Sequence, residues 1–394
     1  MKPNGVRSTA ETLPDLVCLS HLRWNFVFQR PQHLMSRFAK ERRVFFVEEP
    51  LWGPGPTRLD VHRAPEGVYV VTPHIQATGA VHDEAWLTKL QRQMLEQLLD
   101  ENDVRSFVLW FYTPMALAFA RELEPVATIY DCMDELSHFQ GAPPALLALE
   151  AELFRRADVV FTGGVSLFEA KRNKHANVHP FPSSVDVPHF AQARAGLVEP
   201  ADQASLARPR MGFCGVIDER MNLELVAGVA RERPDWQLVM VGPVVKISPE
   251  SLPRSENLHY LGGKSYPELP HYLGGWDVAL MPFALNDSTR YISPTKTPEY
   301  LAAGKPVVST SIRDVVRPYG EQQLVRIADS VPTFIDAIQA SLSEAREPWL
   351  ARVDRFLAHL SWDETWRGMK AHVDAAGPRS HHSAKHRTDE VTAL

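Results

Sequence analysis

The chain has 394 residues, 44% of them hydrophobic and 23% charged, with a formal net charge of −6. That balance excludes a chain that is disordered throughout, and the negative charge argues against a dedicated polyanion binder. Three cysteines, Cys18, Cys132 and Cys214, lie too far apart to supply a CxxC metal pair or a disulfide framework, which suits a reducing, cytoplasmic compartment. No window approaches the roughly 18 apolar residues of a membrane span, and residues 1–14 lack the apolar stretch of a signal peptide.

In chain order, the apolar run at 15–20 reads as a buried strand, followed by a polar loop and a helix near 31–41. Strands follow at 43–48 and 68–72. A helix over 83–101 places Leu87, Leu90, Met94, Leu95 and Leu98 at helical spacing. Next come a strand at 107–112, a helix from Pro114, a strand at 127–131, a helix near 143–156, a strand at 158–162 and a helix from Ser166. Short apolar strands that alternate with helices, without the alternation of a half-exposed sheet, predict a parallel sheet covered on both faces. Between 180 and 208 the rhythm breaks into prolines and scattered alanines. It restarts with strands at 210–214, 237–241, 258–261, 277–281 and 306–309 and helices at 222–232, 266–273, 296–303 and 331–345. The expected fold is α/β, two doubly wound Rossmann-like domains facing across a cleft. The expected division is a flexible leader (1–14), a first domain (15–182), a linker (183–208), a second domain (209–346), C-terminal helices (347–376) and a disordered tail (377–394).

Several common motifs are missing from the sequence. No GxGxxG follows the first strand, the Gly263-Lys264-Ser265 stretch has Leu258 where a P-loop needs glycine, and neither HExxH nor GxSxG occurs. No Asp-x-Asp occurs either, so a diphosphate bound here must be neutralised by something other than a metal held on that pair.

The most informative stretch is 290–310, RYISPTKTPEYLAAGKPVVST. Ser293, Pro294, Thr295 and Lys296 lead into a helix that Gly304 closes. Free N–H groups at the helix start, a hydroxyl from Thr295 or Thr297 and the charge of Lys296 make an anion site without metal. Glu299, one turn in, can accept hydrogen bonds from the two hydroxyls of a ribose. The alternative is an ordinary capped helix with a surface lysine.

In the first half, the loop from Ser20 to Leu34 follows a strand end and faces the cleft. Its Trp24, Arg30, Gln32 and His33 are groups that hold hydroxyls, phosphates or sugar rings; the plainer reading is a solvated loop and a capped helix. Asp131, Asp134 and Glu135 follow another strand end, where three carboxylates are costly unless solvated or paired. One of them can serve as a general base for an attacking hydroxyl, or Asp131 or Asp134 caps the next helix. Residues 21–43 carry Arg23, Arg30, Arg37, Lys40, Arg42 and Arg43 against Glu41 alone, with Trp24, Phe26 and Phe28 interleaved. That reads as a solvated basic face or as contact with anionic lipid.

PEYLAAGKPVV resembles the donor-binding signature of GT-B glycosyltransferases of the group 1 type. The resemblance implies that Glu299 holds the nucleotide ribose and that Ser293, Thr295 and Lys296 line the diphosphate. Where the family carries a second glutamate near the transferred sugar, this chain has Tyr291, which leans the expected stereochemistry towards inversion. Val185-Asp186 with Phe190 resembles the family's linker opening. Ser361-Trp362 resembles the last helices, which cross back to the first domain. Arg210 to Val216 resembles the first strand and glycine turn of the donor domain, and adds Gly215 and Arg220 as diphosphate contacts. The loop with Lys264 and Tyr266 lies beside the nucleobase by the same resemblance, Tyr266 packing on it, or is only a turn. Arg30 to Leu34 is similar to the RPQHL of some bacterial members. The Asp131–Ser137 segment resembles the strand end of the inverting glucuronosyltransferases of xanthan synthesis, whose base corresponds to Asp134. The implied activity is transfer of a sugar from a nucleoside-diphosphate sugar, UDP favoured over GDP, to a hydroxyl of a saccharide or polyprenyl-linked acceptor in bacterial surface polysaccharide synthesis. No metal cofactor and no nucleic acid is expected. The protein would be cytoplasmic, with peripheral contact at the inner face of the plasma membrane. A nucleotide-sugar epimerase of the same fold and a non-catalytic sugar-nucleotide binding subunit are the alternatives.

Overall fold

The computed structural model describes residues 13–77 and 83–377; most of the leader and nearly all of the tail considered above lie outside the described residues. The first sheet is built on β1 (Asp15–Leu19), β2 (Val44–Val47), β3 (Leu51–Gly53), β4 (Arg58–Arg63), β5 (Tyr69–Gln76), β6 (Phe107–Phe111), β7 (Ala127–Cys132), β8 (Val159–Thr162) and β9 (Val178–Pro180). Its order is β3-β5-β2-β1-β6-β7-β8-β9, with β4 on β5. β1 lies between parallel neighbours, Leu16 opposite Val44 on one side and Val108 on the other. Every residue of β1, β2, β6 and β8 is buried, which explains why these strands read as unbroken apolar runs.

The second sheet contains β10 (Arg210–Cys214), β11 (Gln237–Val241), β12 (Leu258–Gly262), β13 (Val278–Met281), β14 (Val307–Ser309) and β15 (Val325–Ile327), in the order β12-β11-β10-β13-β14-β15, all parallel. In each sheet the strand order reverses beside the first strand, between β1 and β6 and between β10 and β13. Open α/β sheets bind ligands outside the carboxyl ends of strands at such switch points. The loops after β1 and β10 meet there, so the topology alone sets the two of them across one cleft. These paired, parallel sheets are the two Rossmann-like halves of a GT-B fold.

Three differences from the sequence reading have physical causes. β4 is antiparallel to β5 and mostly exposed, and its RLDVHR sequence offers no apolar run to find. The segment after β9 is not bare linker: Val185, Phe190, Ala193 and Gln203 are buried, with short helices at Val187–Ala191 and Ala201–Ala204. The basic stretch 21–43 is largely neutralised by ion pairs. Arg23 pairs with Glu48, Arg30 with Asp131, Arg37 with Asp363, Arg42 with Asp374 and Arg43 with Asp15.

Two of those pairs hold the C-terminal helix Trp362–Ala376 against the first lobe, where Trp362, Met369 and Val373 pack with Leu34, Phe38, Trp110 and Phe161. The helix before it, Arg346–Leu357, packs Trp349, Val353 and Leu357 into the second lobe. The chain therefore returns to the first lobe through residues 358–361.

The core of the second lobe is close-packed at Gly212 in β10. A Cβ built there would fall 1.9 Å from the Trp276 ring, whose indole N–H is fixed on Gln203 at 2.9 Å. Gly212→Ala should lower unfolding stability by about 1–3 kcal/mol, the usual cost of overpacking. Urea titration checks it, and an unchanged midpoint would show that the Trp276 ring can move aside.

Candidate active site

The cleft holds two connected chambers. The larger, about 630 Å³, is lined by Trp24–Phe28 of the first lobe and by Cys214–Val216, Val241–Pro243, Gly263–Pro267 and Leu269 of the second. The smaller, about 140 Å³, is lined by Gln29, Arg30, Met133, Asp134, Gly163 and Ser183 of the first lobe and its exit, and by Arg220 and Ile292–Thr295 of the second. Val27, Gly215, Val216 and Lys296 line both. Lys296 thus stands where the chambers join. The glycines after β10 and β11 permit this shape: a Cβ on Gly242 (φ +149°) would lie 1.8 Å from the carbonyl of Gly215.

Lys296 opens the helix Lys296–Ala302, whose residues from Thr297 onward are buried. Tyr300 pins that helix to the end of β10, its hydroxyl donating to the Cys214 carbonyl at 3.0 Å and accepting from the Cys214 N–H at 2.7 Å. The Lys296 ammonium pairs with Glu299 at 2.8 Å. Burial opposes its charge, but the Glu299 carboxylate and the Cys214 side chain outweigh burial and hold the ammonium above its ordinary value. It remains charged in the cleft. Ser293 and Thr295 line the small chamber beside it. Thr297, weighed above as the hydroxyl of this site, turns the other way and contacts the Met281 sulfur at 3.4 Å.

Of the three carboxylates after β7, two are tied down. Asp131 is fully buried and takes Arg30 Nη2 at 2.8 Å and Nε at 3.1 Å. Glu135 takes Lys171 at 2.7 Å, and Lys171 also holds Glu150 at 2.8 Å. Asp134 makes neither an ion pair nor a side-chain hydrogen bond among the described residues, and it lines the small chamber. Burial pushes its carboxyl up to about 6; the charges of Arg220, Arg30 and Lys246 offset part of that rise and Asp131 adds to it. A carboxylate poised near neutrality, unpaired and open to a cavity, is equipped to take a proton.

The other predicted residues divide. Gly215 and Arg220 are in the cleft; Arg220 is clamped by Asp218 at 2.7 Å. Lys264 lines the large chamber but spends its charge on Asp202 at 2.6 Å. Tyr266 lines it too, yet its ring is stacked between Phe28 at 4.5 Å and His189 at 4.1 Å. The stacking expected of this ring is thus made with two side chains of the protein itself. Glu299 lines neither chamber, since its carboxylate is turned to Lys296. Tyr291 lies apart from both chambers, packed on His138 at 5.6 Å and lining a separate hollow with Arg290 and Arg313.

On the first-lobe side, Trp24 lines the large chamber while packing on Phe46. Arg30 lines the small chamber, Gln32 and His33 line neither chamber, and all three carry structural contacts. Arg30 is consumed by Asp131 and by the Phe181 carbonyl at 2.7 Å. Gln32 caps its own helix and donates to the Trp24 carbonyl at 2.7 Å. His33 stacks on Trp362 at 4.5 Å, kept neutral chiefly by burial and also by Arg37, Lys296 and His189. Sequence reasoning missed Lys171, Phe139 and Lys246. A lysine at the end of a short helix and an isolated phenylalanine carry no local signal; only the fold brings Lys171 onto Glu135 and Phe139 against Arg220 and Lys246.

Comparison with known proteins follows this geometry. Residues 208–344 match the family described as glycosyl transferases group 1. The second lobe is thus similar to the group 1 glycosyltransferases. A putative teichuronic acid biosynthesis glycosyltransferase, TuaH, of Bacillus subtilis strain 168 is 27% identical over 248 residues, 56% of this chain and 61% of that protein. The chain thus spans about three-fifths of the length of the curated relative it matches. Sucrose-phosphate synthase from Thermosynechococcus elongatus superposes with a TM-score of 0.69 at 16% identity, over 92% of this chain and 99% of that one. An Escherichia coli trehalose-6-phosphate protein bound with UDP-2-fluoro glucose gives 0.67 at 13%, over 93% and 100%. WaaG, a glycosyltransferase involved in lipopolysaccharide biosynthesis, gives 0.58 at 12%, over 91% and 98%. These similarities establish the GT-B fold of both lobes together.

A carboxyl raised to about 6 in the folded state, against 3.8 in the open chain, costs stability at neutral pH. The folded form binds the proton more tightly, so stability falls as pH rises from about 4 through 6. Asp134→Asn should therefore raise stability at pH 7.5 by roughly 1–2 kcal/mol once partial exposure is allowed for, seen as a higher melting temperature, with the gain fading by pH 4. Thermal scans of both proteins across that range test it; a gain that persists at pH 4 would mean the carboxylate is not the source.

Proposed function

We propose that the protein is a glycosyltransferase that moves a sugar from a nucleoside-diphosphate sugar to a hydroxyl of a saccharide acceptor, in the synthesis of a bacterial surface polysaccharide. One observation carries this reading: Lys296 stands at the junction of a large chamber and a small one, and Asp134, raised and unpaired, lines the small one. The large chamber takes the nucleoside. The diphosphate lies at the junction against Lys296, Ser293 and Thr295, with Arg220 beside it. The sugar projects into the small chamber.

Bond changes follow from that placement. The acceptor hydroxyl enters beside Asp134, which takes its proton as the oxygen attacks the anomeric carbon. The bond to the diphosphate breaks, and the growing negative charge falls on Lys296 and Arg220, which are already in place and do not reorganise. Attack from the face opposite the leaving group inverts the anomeric centre. In this reading Lys296 and Arg220, two fixed cations, supply the charge that a metal supplies elsewhere.

UDP is the favoured carrier. Structural neighbours solved with UDP or a UDP-sugar, HepE of Anabaena and the trehalose-6-phosphate protein, support that choice. The teichuronic acid relative and WaaG support a cell-envelope glycan as acceptor. For an acceptor held on a polyprenyl carrier, the protein would work in the cytoplasm against the inner face of the plasma membrane. Phe26, at 51% exposure, stands at the mouth of the large chamber for such a contact. No helix among the described residues is long and apolar enough to cross a membrane.

Incubation with UDP- and GDP-sugars, with and without a lipid-linked saccharide, tests the reading. Nucleotide release that depends on acceptor supports transfer; isomerisation of the sugar without acceptor, or tight binding with no turnover, rejects it. Asp134→Asn should lower kcat about 10²–10⁴-fold with donor affinity kept, the range typical of a missing general base. Lys296→Ala should weaken UDP binding by about 10–100-fold, the loss expected for one charge-assisted contact, read by calorimetry. UDP binding that survives Lys296→Ala unchanged would place the diphosphate elsewhere.

A further inference from the structure

Closing the cleft creates a difficulty for the base. Removing water from Asp134 favours its protonated form, which cannot accept a proton. The charges fixed in its own lobe do not remedy this, because Arg30 is matched by Asp131 and Lys171 by Glu135 and Glu150. His21, after β1, is buried and neutral, pushed down to about 4 by burial and by Lys246. The remaining charges facing Asp134 come from the opposite lobe: Lys296, held by Glu299 across the small chamber, and two further cations, Arg220 with its Asp218 and Lys246 with Glu219 at 3.6 Å.

Both cations converge on one ring. Phe139 follows the turn Leu136–His138, five residues beyond Asp134. The Arg220 guanidinium carbon lies 5.5 Å from its ring centroid and the Lys246 ammonium 4.9 Å from it. Phe139 is only half-buried and belongs to none of the apolar clusters of either lobe. An aromatic side chain placed on a cleft loop, with no core of its own, has its contacts in the facing lobe. Lys246 takes a left-handed backbone (φ 63°) that an L residue rarely adopts, and it sits next to a Glu219 carboxylate whose oxygens are sealed from water without a hydrogen bond. The half-exposed lysine lies between the ring and the acid.

We propose that Phe139 is a positioning residue: its ring clasps Arg220 and Lys246 of the second lobe over Asp134, so that the same closure that dries the base also delivers the charges that keep it ionised. The proposal rests on Asp134 as the base. Cation–π attraction gains strength as water leaves, so the clasp is tightest in the closed cleft and releases when product departs.

The test uses the full-length chain with saturating donor and acceptor. Phe139→Leu keeps the apolar bulk and removes the ring face. It should lower kcat about tenfold at pH 7, on the order of two partly desolvated cation–π contacts, and move the acid limb of the kcat–pH profile to higher pH, with activity recovering towards pH 8.5. Phe139→Trp, a better cation acceptor, should restore both. Lys246→Met, which leaves Phe139 in place, should move the limb in the same direction; it stands in if Phe139→Leu fails to show the UDP-induced rise in melting temperature that marks a folded chain. An unmoved limb in Phe139→Leu and Lys246→Met, or a Phe139→Trp protein no better than Phe139→Leu, overturns the clasp. Failure of the underlying reading is seen separately, as turnover retained by Asp134→Asn.

Discussion

The buried ion pair of Arg30 and Asp131 is the contact on which the site's layout depends. Arg30 is 2% exposed and Asp131 fully buried. An ion pair this deep loses hydration on both sides and is a poor source of net stability by itself. Its value here is geometric. Arg30 opens the helix after the β1 loop, Asp131 lies near the end of β7, the Phe181 carbonyl begins the passage to the second lobe, and Met369 lies on the returning C-terminal helix. One guanidinium thus fastens four separate pieces of chain beneath the cleft. With Asp131 neutralised below and Glu135 drawn to Lys171, the carboxylate between them has nothing to pair with. The free state of Asp134 is a consequence of its neighbours being satisfied.

The second lobe reaches a similar result by a different route. The short helix Lys296–Ala302 is almost entirely core, locked by Tyr300 onto Cys214 at the end of β10. Only its first residue reaches the cleft. Lys296 is therefore not a flexible surface charge that must be ordered when an anion arrives; the entropy of fixing it is lost at folding instead. Glu299 keeps that charge company in the empty cleft and orients it. In the proposed reaction, a diphosphate at the junction would compete with Glu299 for this ammonium.

What the sequence disclosed depended on how local each feature is. The two alternating halves, the helix closed by Gly304 and the apolar strands were visible because each is encoded within a few residues. β4 was not, because an exposed edge strand needs no apolar run. The loop after β1 faces the cleft as expected, but its polar residues also carry structural contacts that the sequence does not show. Trp24 and Phe26 do line the large chamber, whereas Gln32 caps a helix and His33 stacks on Trp362, more than 300 residues away in the chain. A polar side chain on a cleft loop looks the same in sequence whether it faces a ligand or satisfies a buried carbonyl. Asp134, the only one of its trio left unpaired, could not be singled out by spacing, since its isolation depends on Arg30 and Lys171.

The same reasoning bears on Tyr291, which stands where related chains carry a second glutamate. Here the ring is turned into the seam with His138 and lies outside both chambers. The small chamber accordingly has a single acid, Asp134, on the first-lobe wall, and cations, Arg220 and Lys296, on the second-lobe wall. In the proposed transfer, negative charge that develops on the leaving diphosphate is met on one side, and the proton of the incoming hydroxyl is met on the other. A site polarised in this way favours a displacement in which nucleophile and leaving group lie on opposite faces of the sugar, because each charge then forms next to the group that stabilises it.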